Sequence, residues 1–156
     1  MKLINKELLK SLSNLAALSP RLRSIHCFHD GPDDTLQRML NAIEPGSYIR
    51  PHRHLNPDKR EIFLLVKGKG VVYTFDDNGN LIEYHILDAA IGNYGVEIAP
   101  GTWHTVLSLQ PATVFYEFKD GPYTAFTDKD FAPWAPKEGD AEVQKYIEGL
   151  MDYIGK

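Results

Sequence analysis

Cysteine is nearly absent from the chain: Cys27 stands alone among 156 residues. An intramolecular disulfide is therefore excluded. Cys27 itself is expected to be a buried strand residue, free cysteine being among the most buried residue types. Long apolar runs are also missing; no stretch approaches the roughly 20 residues of a membrane-spanning helix, which argues against a membrane partner. The N-terminus lacks the basic, apolar and small-residue layout of a signal peptide, so a cytoplasmic location is expected. Positive charge is not in excess. The formal net charge of −4 speaks against nucleic acid as a partner. It leaves room for a small anionic ligand, because holding a phosphate needs only a local cluster of positive charge. Internal repeats, low-complexity tracts and domain linkers are not found. With 43% hydrophobic and 24% charged residues, residues 1–156 are expected to form one domain able to bury a full core without staples.

Residues 5–17 have helical periodicity, with Leu8, Leu12, Leu15 and Ala16 on one face, Asn5 as N-cap and Ser19-Pro20 as a stop. From about 22 to 118 the texture changes to short apolar or alternating runs separated by turn signals. These predict strands over 22–28, 36–44, 47–53, 60–67, 70–76, 81–87, 95–98, 103–109 and 112–118. Asp77-Asn78-Gly79-Asn80 between two such runs predicts a hairpin. Many short, evenly spaced strands imply a sandwich, jelly roll or barrel. Residues 120–139, rich in Pro, Asp, Gly and aromatics, are expected to lie irregularly across that barrel. Residues 140–154 predict a second amphipathic helix, with Asp140 as N-cap and Val143, Ile147, Leu150, Met151 and Ile154 in one stripe.

Chemistry concentrates in P-H-R-H at 51–54, Glu61 and A-P-G-T-W-H at 99–104. In a strand, residues i and i+2 point to the same side, so His52 and His54 would face together, about 7 Å apart at their roots. Glu61 opens an apolar strand, and His104 follows a Pro-Gly turn. Three imidazoles and one carboxylate can close most of the shell around a first-row transition metal. Fe(II), Mn(II), Ni(II), Zn(II) and Co(II) all suit such ligands. His26, His29 and His85 lack this patterning and are read as surface or hydrogen-bonded histidines.

Residues 46–68 resemble the first conserved motif of the cupins: Gly46, five residues, His52-x-His54, a gap, Glu61, six residues, Gly68. Residues 99–104 resemble the second, through Gly101 and His104. The gap between His54 and Glu61 is longer than the usual pattern by two or three residues, which makes Asp58 a rival ligand. Glu61 is preferred because the step to Gly68 and the strand that follows fit it. The resemblance extends further. R-L-R-S-I-H at 21–26, L-Q-R-M-L-N-A-I-E-P-G at 36–46, P-H-R-H and F-A-P-W-A-P-K-E-G-D at 131–140 resemble the WbuC family of small cupin metalloproteins, across nearly the whole chain. That resemblance implies an all-β cupin barrel with flanking N- and C-terminal helices, one metal ion, and an association with lipopolysaccharide O-antigen synthesis. It implies no particular reaction.

Glu61 could serve as ligand in one state and as base in another, which makes it the candidate catalytic residue. Tyr48, Arg50, Tyr73, Tyr116 and Trp103 are candidates to contact substrate. Arg50 shares the parity of His52 and His54 and should point inward if the strand is regular through Pro51. An inward arginine would favour a ligand carrying phosphate or carboxylate. Lys119 and Arg38 read as ordinary surface residues. An isomerase, a lyase and a dioxygenase all fit such a site, as does a non-catalytic binding or structural cupin. The unpaired edge of such a sheet is a liability unless covered, so a homodimer is expected.

Overall fold

The computed structural model describes residues 1–125 and 128–154. Helix α1 (Lys6–Leu18) is followed by strands β1 (Arg23–Cys27), β2 (Leu36–Ile43), β3 (His52–Arg53), β4 (Glu61–Lys67), β5 (Gly70–Phe75), β6 (Leu81–Leu87), β7 (Gly95–Ile98), β8 (Trp103–Ser108), β9 (Thr113–Asp120) and β10 (Asp130–Phe131), then helix α2 (Val143–Met151). The strands form two five-stranded antiparallel sheets, in the orders β1-β2-β9-β4-β7 and β10-β3-β8-β5-β6. Apart from the β1–β2 and β5–β6 hairpins, chain neighbours fall in opposite sheets, as in a jelly roll.

Three apolar layers result. Ile43, Phe63, Val72, Leu87, Ile98, Val106 and Phe115 fill the space between the sheets. The outer face of the first sheet, through Leu40, Ala42 and Val114, takes Leu12 and Ala16 of α1. The outer face of the second, through Val71, Tyr73, Phe75 and Leu107, takes Ile147 and Leu150 of α2. Each fully buried aliphatic or aromatic side chain contributes about 1.5–3 kcal/mol. Gly68, at the β4–β5 turn, is required twice over. Its φ is +85°, and an added Cβ would lie 2.7 Å from the Thr113 Cα, where no flexible side chain can yield.

Several elements differ from expectation. Asn5 caps α1 by accepting from the Leu8 N–H at 2.9 Å, as its sequence position suggests, but Leu15 is exposed. The strand expected over 47–53 is reduced to His52–Arg53, because Pro51 cannot donate to a ladder. Helix α2 begins at Val143 and not at Asp140; the Asp140 carboxylate instead accepts from the Lys137 N–H at 2.7 Å and closes the preceding turn. Cys27 is exposed, since β1 is an edge strand with a single neighbour. Among the described residues, no helix is long and apolar enough to cross a membrane.

Candidate metal centre

Register brings the candidate ligands to one end of the space between the sheets. His52 on β3 pairs directly with His104 on β8. Glu61 opens β4 on the facing sheet, and His54 follows β3. One ligand atom from each of His52, His54, Glu61 and His104 lies within 4.8 Å of every other, and all four residues are buried. Glu61 Oε2 is 2.8 Å from His104 Nε2 and 3.3 Å from His54 Nε2. Asp58, the rival, is exposed in the loop, bridges to Leu55 and is not part of this cluster.

The hydrogen bonds around the rings decide what the centre holds. His52 Nδ1 meets the Arg50 carbonyl at 3.0 Å, His104 Nδ1 meets the Thr102 carbonyl at 2.8 Å, and His54 Nδ1 meets the Asp128 carbonyl. A carbonyl only accepts, so each Nδ1 carries a hydrogen and Nε2 is the ring nitrogen left to ligate. Burial first, then the nearby Lys129 charge, hold the His52 imidazole well below its ordinary pKa, which keeps it neutral. For Glu61, burial favours the neutral acid, but His104, His54 and a hydrogen bond from Glu117 outweigh it and hold the carboxyl well below the usual range. The cluster thus gathers three imidazole nitrogens and a carboxylate, the atom types that ligate a transition metal, in one buried place. His104 Nε2 is buried without a hydrogen-bond partner, although Glu61 Oε2 lies 2.8 Å away. A cation between these atoms resolves the arrangement, and Nδ1–H groups fixed by carbonyls are the usual support for metal-ligating histidines. The donor set fits a divalent first-row metal.

Around the cluster lies a second layer of buried charge. On β9, Phe115, Glu117 and Lys119 alternate inward. Burial and the adjacent Glu61 charge push the Glu117 carboxyl well above its ordinary value, so it is protonated and donates to Glu61. Asn41 Nδ2 donates to its other face at 2.5 Å. Asp128 lies between two buried lysines, accepting from Lys59 Nζ at 2.9 Å and from Lys119 Nζ at 2.7 Å. Burial opposes the Lys119 charge, but Glu61, Glu117 and Asp128 outweigh it and hold the ammonium above its ordinary value. Burial likewise opposes the Asp128 charge, and the two lysines outweigh it. The longer His54–Glu61 gap thus has a structural use: it delivers Lys59 to Asp128, whose backbone carbonyl orients His54.

A cavity of about 1010 Å³ opens onto His52, Glu61 and His104 and is further lined by Asn41, Glu117, Lys119 and Lys129. The five residues expected to contact substrate do not line it. Tyr48 donates to the Pro136 carbonyl at 2.8 Å and Tyr73 to the Leu150 carbonyl at 2.9 Å, both on the outer face of the second sheet. Trp103 donates to Asp77 at 2.9 Å beneath the Arg53 guanidinium. Tyr116 stacks on Phe28 on the outer face of the first sheet. Arg50 donates to the Ala132 carbonyl at 2.7 Å, the irregular backbone before β3 having broken its parity with His52. Sequence reasoning missed Asn41, Glu117, Lys119 and Lys129. For the first three a signal existed: they share strand parity with the core residues Ile43 and Phe115.

The sequence profile of a family described as a domain of unknown function (DUF6016) matches residues 4–87. The chain belongs to this family. In this DUF6016 protein the matched stretch carries His52, His54 and Glu61, while His104, Glu117 and Lys129 lie beyond it. No curated protein matches the chain. Among solved structures, the capsular polysaccharide assembling protein CapF from Staphylococcus aureus is 26% identical, with a TM-score of 0.58 over 69% of this chain and 29% of CapF. The chain therefore spans less than a third of CapF. KdgF from Halomonas sp. is 18% identical, with a TM-score of 0.52 over 70% of this chain and 86% of KdgF. The L-ribose isomerase of Cellulomonas parahominis is 16% identical, with a TM-score of 0.56 over 72% of this chain and 70% of the isomerase. These last two likenesses bear on the fold alone. With the two packed sheets they place the DUF6016 chain in the cupin fold, as the motif resemblance implies.

Proposed function

We propose that this protein is a metal-dependent cupin enzyme acting on a small polar metabolite, a sugar or nucleotide sugar of polysaccharide synthesis. The observation that carries the reading is the pairing of a buried His₃Glu cluster with a cavity onto which His52, Glu61 and His104 open. A purely structural metal site would be closed. The substrate class rests on the WbuC resemblance and on the likeness to CapF, a capsular polysaccharide assembling protein. CapF has also been solved with the inhibitor 3-isopropenyl-tropolone, and the adjacent oxygens of a tropolone suit chelation of a transition metal.

A bound divalent ion supplies Lewis-acid polarisation of a substrate carbonyl or hydroxyl, or dioxygen chemistry if the ion is iron. His52, His54, His104 and Glu61 would hold it, with the rings fixed by the carbonyls of Arg50, Asp128 and Thr102. The protonated Glu117 keeps Glu61 in place and offers a proton beside the cavity. Buried walls of Phe63, Val106 and Ile43 limit water at the reacting end. The proposal includes a cytoplasmic homodimer. Edge strand β1, with Ile25 54% exposed, supports pairing there, and light scattering checks it.

The test is incubation of metal-loaded protein with a panel of nucleotide sugars in deuterated water, followed by proton NMR. Isomerase or lyase chemistry predicts conversion, or deuterium uptake at a carbon beside a carbonyl. Aerobic incubation of iron-loaded protein reports oxygenase chemistry as oxygen consumption. Neither signal above that of metal-free protein would refute catalysis and leave a ligand-binding cupin.

A further inference from the structure

Four lysines and arginines line the cavity, and three of them are already engaged. Arg21 is bound to Glu138 at 2.5 Å. Arg23 donates to the Tyr48 carbonyl at 2.8 Å and pairs with Glu138 at 3.0 Å. Lys119 is held by Asp128 at 2.7 Å. Lys129 alone, among the described lining residues, has no hydrogen-bond or ion-pair partner. Its side chain reaches water yet lies within the cavity, where burial lowers its pKa from the ordinary lysine value against the opposing pull of Glu61, Glu117 and Asp128.

Its backbone is fixed on both sides. Asp128, immediately before, is fastened by Lys59 and Lys119 through its carboxylate and by His54 through its carbonyl. Asp130, immediately after, opens β10, which pairs with Arg53 of β3, and its carboxylate accepts from Arg53 Nε at 2.9 Å. These anchors hold the Lys129 backbone at the cavity, so its flexible side chain starts within reach of the centre. An unpaired cation held over a metal centre by rigid neighbours is a preorganised anion receptor. The counter-charges nearby are committed. Glu61 serves the metal, Glu117 is neutral, and Asp128 already faces two lysines.

We propose that Lys129 is the ligand-recognition residue of the cavity, and that the ligand taken at the metal centre carries a carboxylate or phosphate that pairs with its ammonium. This rests on the metal-centre reading above and adds to it the charge of the ligand and the residue that selects it. The requirement for an anion, expected from Arg50, is thereby met by a residue of the irregular segment before β10.

The test uses full-length protein loaded with cobalt(II), whose visible absorption reports changes at the ion. The probes are acetohydroxamate, a neutral-armed chelator, and a homologous series of hydroxamates bearing a terminal carboxylate on arms of increasing length. In the wild type at least one carboxylate-bearing member is expected to bind about tenfold more tightly than acetohydroxamate, the scale of one charge-assisted hydrogen bond. Lys129→Met should weaken the carboxylate-bearing member more than acetohydroxamate, so that the tenfold preference falls to about one. Lys129→Arg should restore it. A wild type without preference, or a Lys129→Met variant that keeps it, overturns the assignment while leaving the metal centre intact. Absence of any cobalt absorption in the wild type overturns the metal centre and this inference with it.

Discussion

Asp128→Asn is the most informative single change to the buried charge network. The substitution preserves size and the backbone carbonyl that orients His54, but removes the one carboxylate between Lys59 and Lys119. Side-chain exposures are 3% for Asp128, 2% for Lys59 and 5% for Lys119, so water cannot replace the lost charge. Breaking a buried ion pair from one side costs about 3–5 kcal/mol, because the remaining charge stays desolvated. For a domain of this size each 1 kcal/mol lowers Tm by about 2–4 °C, so the expected fall is roughly 6–20 °C. Thermal unfolding followed by circular dichroism measures it, on metal-free protein so that binding does not mask the loss. The comparison is Asp30→Asn, which breaks the exposed pair between Lys2 and Asp30 and should leave Tm unchanged. An Asp128→Asn variant that melts with the Asp30→Asn variant would refute the reasoning. Linkage gives a second reading. The Asp128 carboxyl is held below its ordinary value, so its contribution is complete above about pH 3.9 and is lost as pH falls through the lower folded value. The variant should lack this share of the acid transition.

Three further outcomes are expected. Glu117→Ala should weaken metal binding by about 10–100-fold in chelator competition, whereas Glu117→Gln, which keeps a donor toward Glu61, should stay near wild type. Metal-free protein should lose stability as pH falls below about 6.5, because the unfolded chain protonates His52 there while the folded ring, with its depressed pKa, does not; urea titrations across that range check the slope. Gly68→Ala, at φ +85° and against the Thr113 backbone, should cost about 1–3 kcal/mol in the same assay.

The ligand cluster was legible because histidines at alternate positions and a strand-opening glutamate obey backbone parity whatever surrounds them. The same rule failed for Tyr73 and Tyr116. Each sheet packs on the other through one face and is partly covered by α1 or α2 on the other, so apolar residues of either parity can be inside. Glu117 and Lys119 look like a solvated face on an ordinary strand; only the metal site opposite makes that face an interior. Lys129 lies in a segment without periodicity, where position depends on the anchors at Asp128 and Asp130 and no local pattern points to it. Arg50 shows the limit from the other side, since a proline beside a two-residue strand was enough to turn it out of the cavity.

The central claim, that His52, His54, Glu61 and His104 form a metal centre, is tested most directly by elemental analysis of untagged protein. Dialysed wild type should retain about one equivalent of a divalent transition metal. The His52→Ala/His54→Ala double variant should retain a β-rich circular dichroism spectrum and no metal. Full metal occupancy in the double variant, or none in wild type after incubation with zinc, manganese, iron, nickel and cobalt salts in turn, would contradict the account.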